Sequence, residues 1–455
     1  MKKILSLLIL FFFVNLIYSQ SDSPKSIAVT VYNNNLGVIK EIRNLELSKG
    51  LSTVAITDVA QMIDPTSVHI KLNGEVIEQN YQYDLVGLGK ILSKYLDKTI
   101  RLTSKEGEMI EGTLLSASGN SIVLQKSGGG LLMIPNFNEY QISVESLPEG
   151  LITKPTLIWT VDSPKSGNED VEISYQTGGM NWHAEYVAVL NDKDTKLDLK
   201  SWVSIENNSG ATYKNAKLKL VAGDVNLVKA QRQNVYRDEM MEMAYSAKDK
   251  QFEEKEFFEY HIYNLQRPAT VAQNETKQIS LFDTENVNVN KKYFYQSGRN
   301  YSGSASSEGK VSVIVEFKNS KENNLGVPFP KGKVRVYKSD GESIEFIGED
   351  LVDHTPKNEE IKLKIGEAFD IRVAEVQTEQ KKISNRVYEQ EYEVTFKNRK
   401  NEDITIDMEK NLGFNWEVLN SNIEYKKKDA TTLSWRIPLK ADDENILKFR
   451  IRYSY

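Results

Sequence analysis

A mostly β protein made of several β-sandwiches is the fold class this sequence predicts, and three observations predict it. Apolar and polar residues alternate with period two over many short runs, the pattern of strands with one buried and one wet face. Turn-forming residues punctuate those runs, among them Asn73-Gly74, Lys331-Gly332 and Ser339-Asp340-Gly341, all suited to hairpins. The chain has 455 residues and no cysteine. At about 150 residues per domain it holds about three domains, and burial alone must hold them together.

Taken in order, residues 1–19 read as a secretory signal peptide. Met1-Lys2-Lys3 gives a short basic start, residues 4–17 are apolar except Ser6 and Asn15, and Ser19 is a small residue at the expected cut. The apolar run is too short for a confident membrane span. Cleavage between Ser19 and Gln20 makes the mature chain periplasmic or secreted, with no transmembrane span. Loss of Lys2 and Lys3 takes the formal charge from −6 to −8, which favours solubility and disfavours non-specific binding to nucleic acid or anionic lipid. An exported protein without cysteine excludes thiol catalysis, disulfide exchange and thiolate metal sites.

Residues 20–84 form an N-terminal β module, opened by the strand of Ile27, Val29 and Val31. In residues 85–150 the pattern changes. Leu85, Leu88, Leu92, Tyr95 and Leu96 fall at helical spacing, although Gly87 and Gly89 weaken a helix. Strands from Ile100, Gly112, Ile122 and Leu131 follow, joined by tight turns at Gly119-Asn120 and Gly128-Gly129-Gly130. A short helix before strands on glycine turns resembles a small Sm-like or SH3-like barrel, a resemblance of fold that does not imply RNA binding.

Residues 151–378 read as a central β-sandwich region, with strands at Val311, Val313, Val315, Phe317 and at Ile361, Leu363, Ile365. A charged insertion, 228–252, interrupts it. Arg232, Arg237, Asp238-Glu239 and Lys248-Asp249-Lys250 show no β alternation, so the segment is expected to be an exposed helix or disordered. Residues 296–309, rich in Ser, Gly and Asn, read as a flexible loop. Residues 379–455 read as a C-terminal immunoglobulin-like sandwich, with Tyr392, Val394, Phe396 and then Leu447, Phe449, Ile451, Tyr453 in strict alternation.

The stretch from Ser174 to Tyr186, with Gly178-Gly179-Met180-Asn181-Trp182-His183 at its centre, carries a further signal. With Trp202 to Gly210, Leu218 to Asn226, Glu259 to Tyr263, Asn274 to Gln278, Pro330 to Tyr337 and Asp353-His354-Thr355-Pro356, it resembles a domain-of-unknown-function family whose members are labelled mucoidy inhibitor A-like. The resemblance covers about residues 155–375. It implies no catalytic residues to carry over. The barrel segment stands where simpler members carry a coiled coil.

Site chemistry is sparse. His69, His183, His261 and His354 are far apart, without the i, i+4 pairing of a helical zinc site, and no metal or cofactor is expected. His354 is the most suggestive, with Asp353 beside it and Glu349 just upstream, yet adjacent strand residues point to opposite faces. A turn role is the simpler reading of Asp353-His354. Asp192, Asp194 and Asp198 lack the glycine and terminal glutamate of a calcium loop, so 191–195 is read as a hairpin turn. Gly-x-Ser-x-Gly and phosphate-loop motifs are absent. Trp159, Trp182, Trp202, Trp416 and Trp435 suit core packing better than a sugar platform.

The expectation is therefore a cell-envelope protein of non-catalytic binding or structural type, whose partner is an envelope protein or glycan and not nucleic acid. The alternative is a hydrolase acting on envelope polysaccharide, with His354, Asp353 and Glu349 as its candidates. It requires those three in one concave pocket beside a tryptophan.

Overall fold

The computed structural model describes residues 19–20, 23–149, 151–223, 225, 252–257, 260–297, 306–413 and 415–454. The signal segment before Ser19, the charged insertion apart from Phe252, and the centre of the 296–309 loop lie outside the described residues. Strands dominate, arranged in six sheets; Leu88–Lys94 is the one α-helix among the described residues. The protein is mostly β and built from several separate sheets, as the alternation predicts. No described helix is long and apolar enough to cross a membrane.

The first core joins distant parts of the chain. Ser26–Tyr32, Gly37–Leu47, Gly167–Thr177 and Tyr213–Ala222 lie in one sheet, and Gly50–Thr57, Thr156–Ser163 and Glu75–Gln82 in another. Val29, Ile39 and Ile173 from the first meet Val54, Ile56 and Trp159 from the second. The chain then turns at Gly178-Gly179 into Met180–Leu190, the central strand of a five-stranded sheet. Gly179 has φ +75°, and a Cβ there would sit 2.6 Å from the Asn208 carbonyl oxygen, so this crossing between sheets needs glycine.

That five-stranded sheet runs in the order Glu275–Asn288, Lys196–Asn207, Met180–Leu190, Gly332–Ser339, Ile344–Val352. Tyr186, Leu199 and Val336 on its inner face pack with Val315, Phe317 and Leu363 as another core. The strands carrying those last three, Ser312–Lys318 and Glu360–Glu367, continue into a six-stranded sheet with Asn290–Ser297, Ile404–Asn411, Thr432–Leu439 and Tyr425–Lys427. This sheet packs in turn on Ile371–Ser384, Val387–Asn398 and Glu444–Ser454 around Phe396, Trp435 and Phe449. One sheet thereby serves two cores.

Residues 85–150 keep a core of their own. Leu88–Lys94 presents Leu92, which with Tyr95 just past the helix packs on Ile100, Leu102, Leu114, Ile122 and Leu124. The sheet order is Leu131–Ile134, Ser121–Lys126, Met109–Ser118, Thr99–Thr103, Gln141–Ser143.

Two expected hairpins are not formed. Asn73-Gly74 links His69–Lys71 to Glu75–Gln82, but the two strands pair in different sheets, with Gly167–Thr177 and Thr156–Ser163 respectively. Lys331-Gly332 opens a strand that pairs in parallel with Met180–Leu190. A Cβ on Gly332 would lie 2.0 Å from the Ala184 carbonyl oxygen, so close backbone approach explains that glycine. Ser339-Asp340-Gly341 does close a hairpin between Gly332–Ser339 and Ile344–Val352. Asp340 Oδ1 accepts the N–H groups of Glu342 and Ser343 at 3.0 and 2.7 Å.

Candidate functional site

Met180–Leu190 alternates without a break. Met180, Trp182, Ala184, Tyr186, Ala188 and Leu190 are buried, while Asn181, His183, Glu185, Val187 and Val189 face outward. Trp182 is 1 % exposed, donates from Nε1 to the Val221 carbonyl at 3.0 Å, and meets Tyr263 edge-on. Buried aromatics thus fix the inner face and leave the outer one to polar groups.

Register places those groups side by side. Glu185 lies opposite Trp202 on one neighbouring strand and Lys333 on the other; Arg335 lies opposite Glu349. Arg335 Nη1 donates to Glu185 Oε2, and His183 Nε2 is 3.1 Å from Glu185 Oε1. Glu349 receives Lys333 at 3.3 Å, with Arg335 Nε at 3.7 Å. Burial pushes the Glu185 carboxyl up, but the hydrogen bonds and charges of Arg335 and His183 outweigh it and hold its pKa below the usual carboxylate range. These side chains form a continuous charge ladder across three strands, each satisfied by its neighbours.

Aromatic and apolar groups flank the ladder. Trp202 is 39 % exposed, in contrast to buried Trp159, Trp182 and Trp435. Tyr337 and Phe346 meet edge-on with centroids 5.7 Å apart, and Phe346 and Leu351 are 55 % and 70 % exposed. An open sheet face with aromatic rims and a paired ionic centre can grip a ligand by stacking and hydrogen bonding.

The sequence candidates fall in two places. Glu349 belongs to the ladder. His354 Nδ1 accepts the Lys331 backbone N–H at 3.1 Å, Asp353 Oδ1 accepts the His354 backbone N–H at 2.9 Å, and Thr355 pairs with Phe329. Asp353 and His354 therefore fasten a turn against the segment that leads into Gly332–Ser339. A cleft of about 270 Å³ lies elsewhere, lined by Leu190, Asp194, Lys291, Tyr293, Lys338 and Phe369 among others, and none of the three candidates reaches it. Asp194 there takes Lys291 at 2.6 Å and Lys338 at 2.5 Å. It sits in the turn where Asn191 Oδ1 accepts the N–H groups of Thr195 and Lys196, the hairpin expected for 191–195. Among the described residues no three of His, Asp and Glu are grouped to hold a metal ion.

Sequence reasoning passed over Glu185, Arg335 and Lys333, and its placing of Trp202 in a core is corrected by the 39 % exposure of that residue on the outer face. His183 and Glu185 at i, i+2 in an alternating strand were a readable sign of a shared outer face. Arg335 was not readable, because parallel pairing brings it to Glu185 across 150 residues of chain.

The architecture and this face define a multi-sandwich β protein with an ordered ionic and aromatic surface. A family model described as a domain of unknown function (DUF4139) matches residues 171–455, and the chain belongs to that family. The match begins within Gly167–Thr177 and runs to the C-terminus, so it takes in the last sandwich as well as the ladder. No curated protein matches the chain.

Proposed function

We propose that this chain is an exported cell-envelope protein of non-catalytic binding type, taking a protein or glycan of the envelope on the outer face of the Met180–Leu190 sheet. The observation that carries the reading is Trp202 left 39 % exposed beside the Glu185–Arg335–Glu349 ladder. Trp159, Trp182 and Trp435 are drawn into cores, and exposed aromatics beside satisfied charges suit stacking recognition. The basic start and apolar run of residues 1–17 support export and cleavage at Ser19-Gln20. The sequence blocks of 155–375 support kinship with mucoidy inhibitor A-like proteins. Helix followed by five strands supports an Sm-like barrel for 85–150, and the alternation of 379–455 supports an immunoglobulin-like terminus.

The binding reading is supported over the hydrolase alternative by the engagement of His354 and Asp353 with turn backbone and of Glu349 with Lys333 and Arg335. The test is capture from an intact envelope, protein and glycan fractions separately, by the mature protein and by a Trp202→Ala, Phe346→Ala variant with unchanged circular dichroism. The proposal expects a ligand held by the parent and lost by the variant. Equal capture by both would overturn it.

A further inference from the structure

In the C-terminal sandwich two charges stand where alternation calls for apolar residues. Ile404, Ile406 and Met408 line the inner face of Ile404–Asn411, and the next inward residue is Lys410. Ile371 and Val373 line the facing strand, and the next inward residue is Glu375. Their side chains are 3 % and 1 % exposed, and Lys410 Nζ lies 2.6 Å from Glu375 Oε1. Glu375 Oε2 accepts the hydroxyls of Tyr295 at 3.1 Å and Ser297 at 2.6 Å, and Ser297 Oγ also receives Lys410 Nζ at 2.8 Å. The Tyr392 ring lies 4.3 Å below the amine.

We propose that Lys410 and Glu375 are a modification site, joining spontaneously as an intramolecular isopeptide that staples the two sheets of the C-terminal sandwich. The contact supplies what such a condensation needs. An amine and a carboxyl already touch, which removes the entropic barrier to their meeting. Two hydroxyls converge on Oε2, the oxygen that becomes the oxyanion when Nζ adds to Cδ, so they act as an oxyanion hole. Burial disfavours the ammonium and lowers the Lys410 pKa against the opposing pull of Glu375, which favours the nucleophilic amine.

The step balances. One proton passes from the ammonium to Oε1, giving a neutral amine and a neutral acid. Nζ adds to Cδ, a second proton moves from nitrogen to Oε1, and that oxygen leaves as water while Oε2 remains as the amide oxygen. No oxidant or co-reactant enters. The product carries no net charge, so the core is relieved of a buried ion pair, which is a weak stabiliser as ions. A chain without cysteine thereby gains a covalent staple.

The experiment is peptide mapping of the full purified chain, denatured before trypsin digestion. Expected is one branched peptide joining the Lys410 and Glu375 segments, lighter by one water than the two linear peptides together and uncut after Lys410. The branched peptide is the deciding species, because cyclisation of an N-terminal Gln20 loses ammonia, a nearly equal mass, from the intact protein. Lys410→Arg should return both segments as linear peptides. Linear peptides from the parent protein, or a branch at Glu375 that persists in Lys410→Arg, would overturn the proposal; should that variant fail to fold, the parent map alone decides.

Discussion

Trp182 and Trp202 sit on adjacent strands with opposite orientations, so they form an internal control for which face of the sheet is core. Trp182→Ala removes an indole that is 1 % exposed, its hydrogen bond to the Val221 carbonyl and its edge contact with Tyr263. An aromatic burying up to about 250 Å² at about 25 cal/mol per Å² sets an upper bound of about 6 kcal/mol. Measured truncations of this kind cost about 3–5 kcal/mol. Loss of the hydrogen bond to the buried Val221 carbonyl adds about 1–3 kcal/mol unless water reaches it, so a loss of about 4–8 kcal/mol is expected. Trp202→Ala, at an exposed position, should cost about 1 kcal/mol or less. Urea unfolding followed by far-UV circular dichroism compares both variants with the parent. Equal losses, or a larger loss at Trp202, would refute the assignment of inner and outer faces on which the candidate site depends.

Glu41 is buried against Arg43, and desolvation raises its pKa more than Arg43 lowers it. The folded state therefore binds the proton more tightly than the unfolded state, so this group makes stability fall as pH rises from about 4.3 toward the folded pKa; Glu41→Gln should flatten that segment of a stability–pH curve. Glu185 and Asp194 act in the opposite sense, since their pKa values are lowered and the stability they add is lost as pH falls through those lowered values. Gly332→Ala should prevent the parallel pairing with Met180–Leu190 and abolish soluble expression, because the new Cβ meets backbone at 2.0 Å. Gly341→Ala, with φ +93° and open space around it, should cost only about 1–2 kcal/mol of backbone strain by thermal unfolding. The full chain should show no salt-sensitive affinity for single-stranded RNA in a fluorescence titration. Of the cations in residues 85–150, Arg101 is already paired with Glu111 and Lys90 with Asp84, and steep weakening of RNA binding with salt would contradict this.

What could be read from the sequence was whatever period two controls. The runs at Val313–Phe317, Ile361–Ile365 and Leu447–Tyr453 are strands, and Val315, Leu363 and Phe449 are buried as their phase requires. The helix before the five-stranded sheet of residues 99–143 was readable from Leu88, Leu92 and Tyr95, although it is only seven residues long. Pairing between distant strands was not readable. Ser26–Tyr32 with Tyr213–Ala222, and Met180–Leu190 with Gly332–Ser339, are parallel neighbours whose contacts leave no local mark. Asn73-Gly74 misled because local turn chemistry does not say which sheet each flanking strand will join. The candidate face suffered most, since its ladder is assembled from three separate segments. The buried Lys410 and Glu375 left a sign that alternation could have exposed, a charge continuing an apolar face.

The central proposal is that the protein takes an envelope protein or glycan on the outer face of the Met180–Leu190 sheet. Hydroxyl-radical footprinting of the mature protein, with and without the captured envelope fraction, reads that directly. The account predicts protection of Trp202, Tyr337 and Phe346, with no change at Phe369, which is 82 % exposed at the cleft. Protection of Phe369 with Trp202, Tyr337 and Phe346 unchanged would contradict it and move the binding site to the cleft.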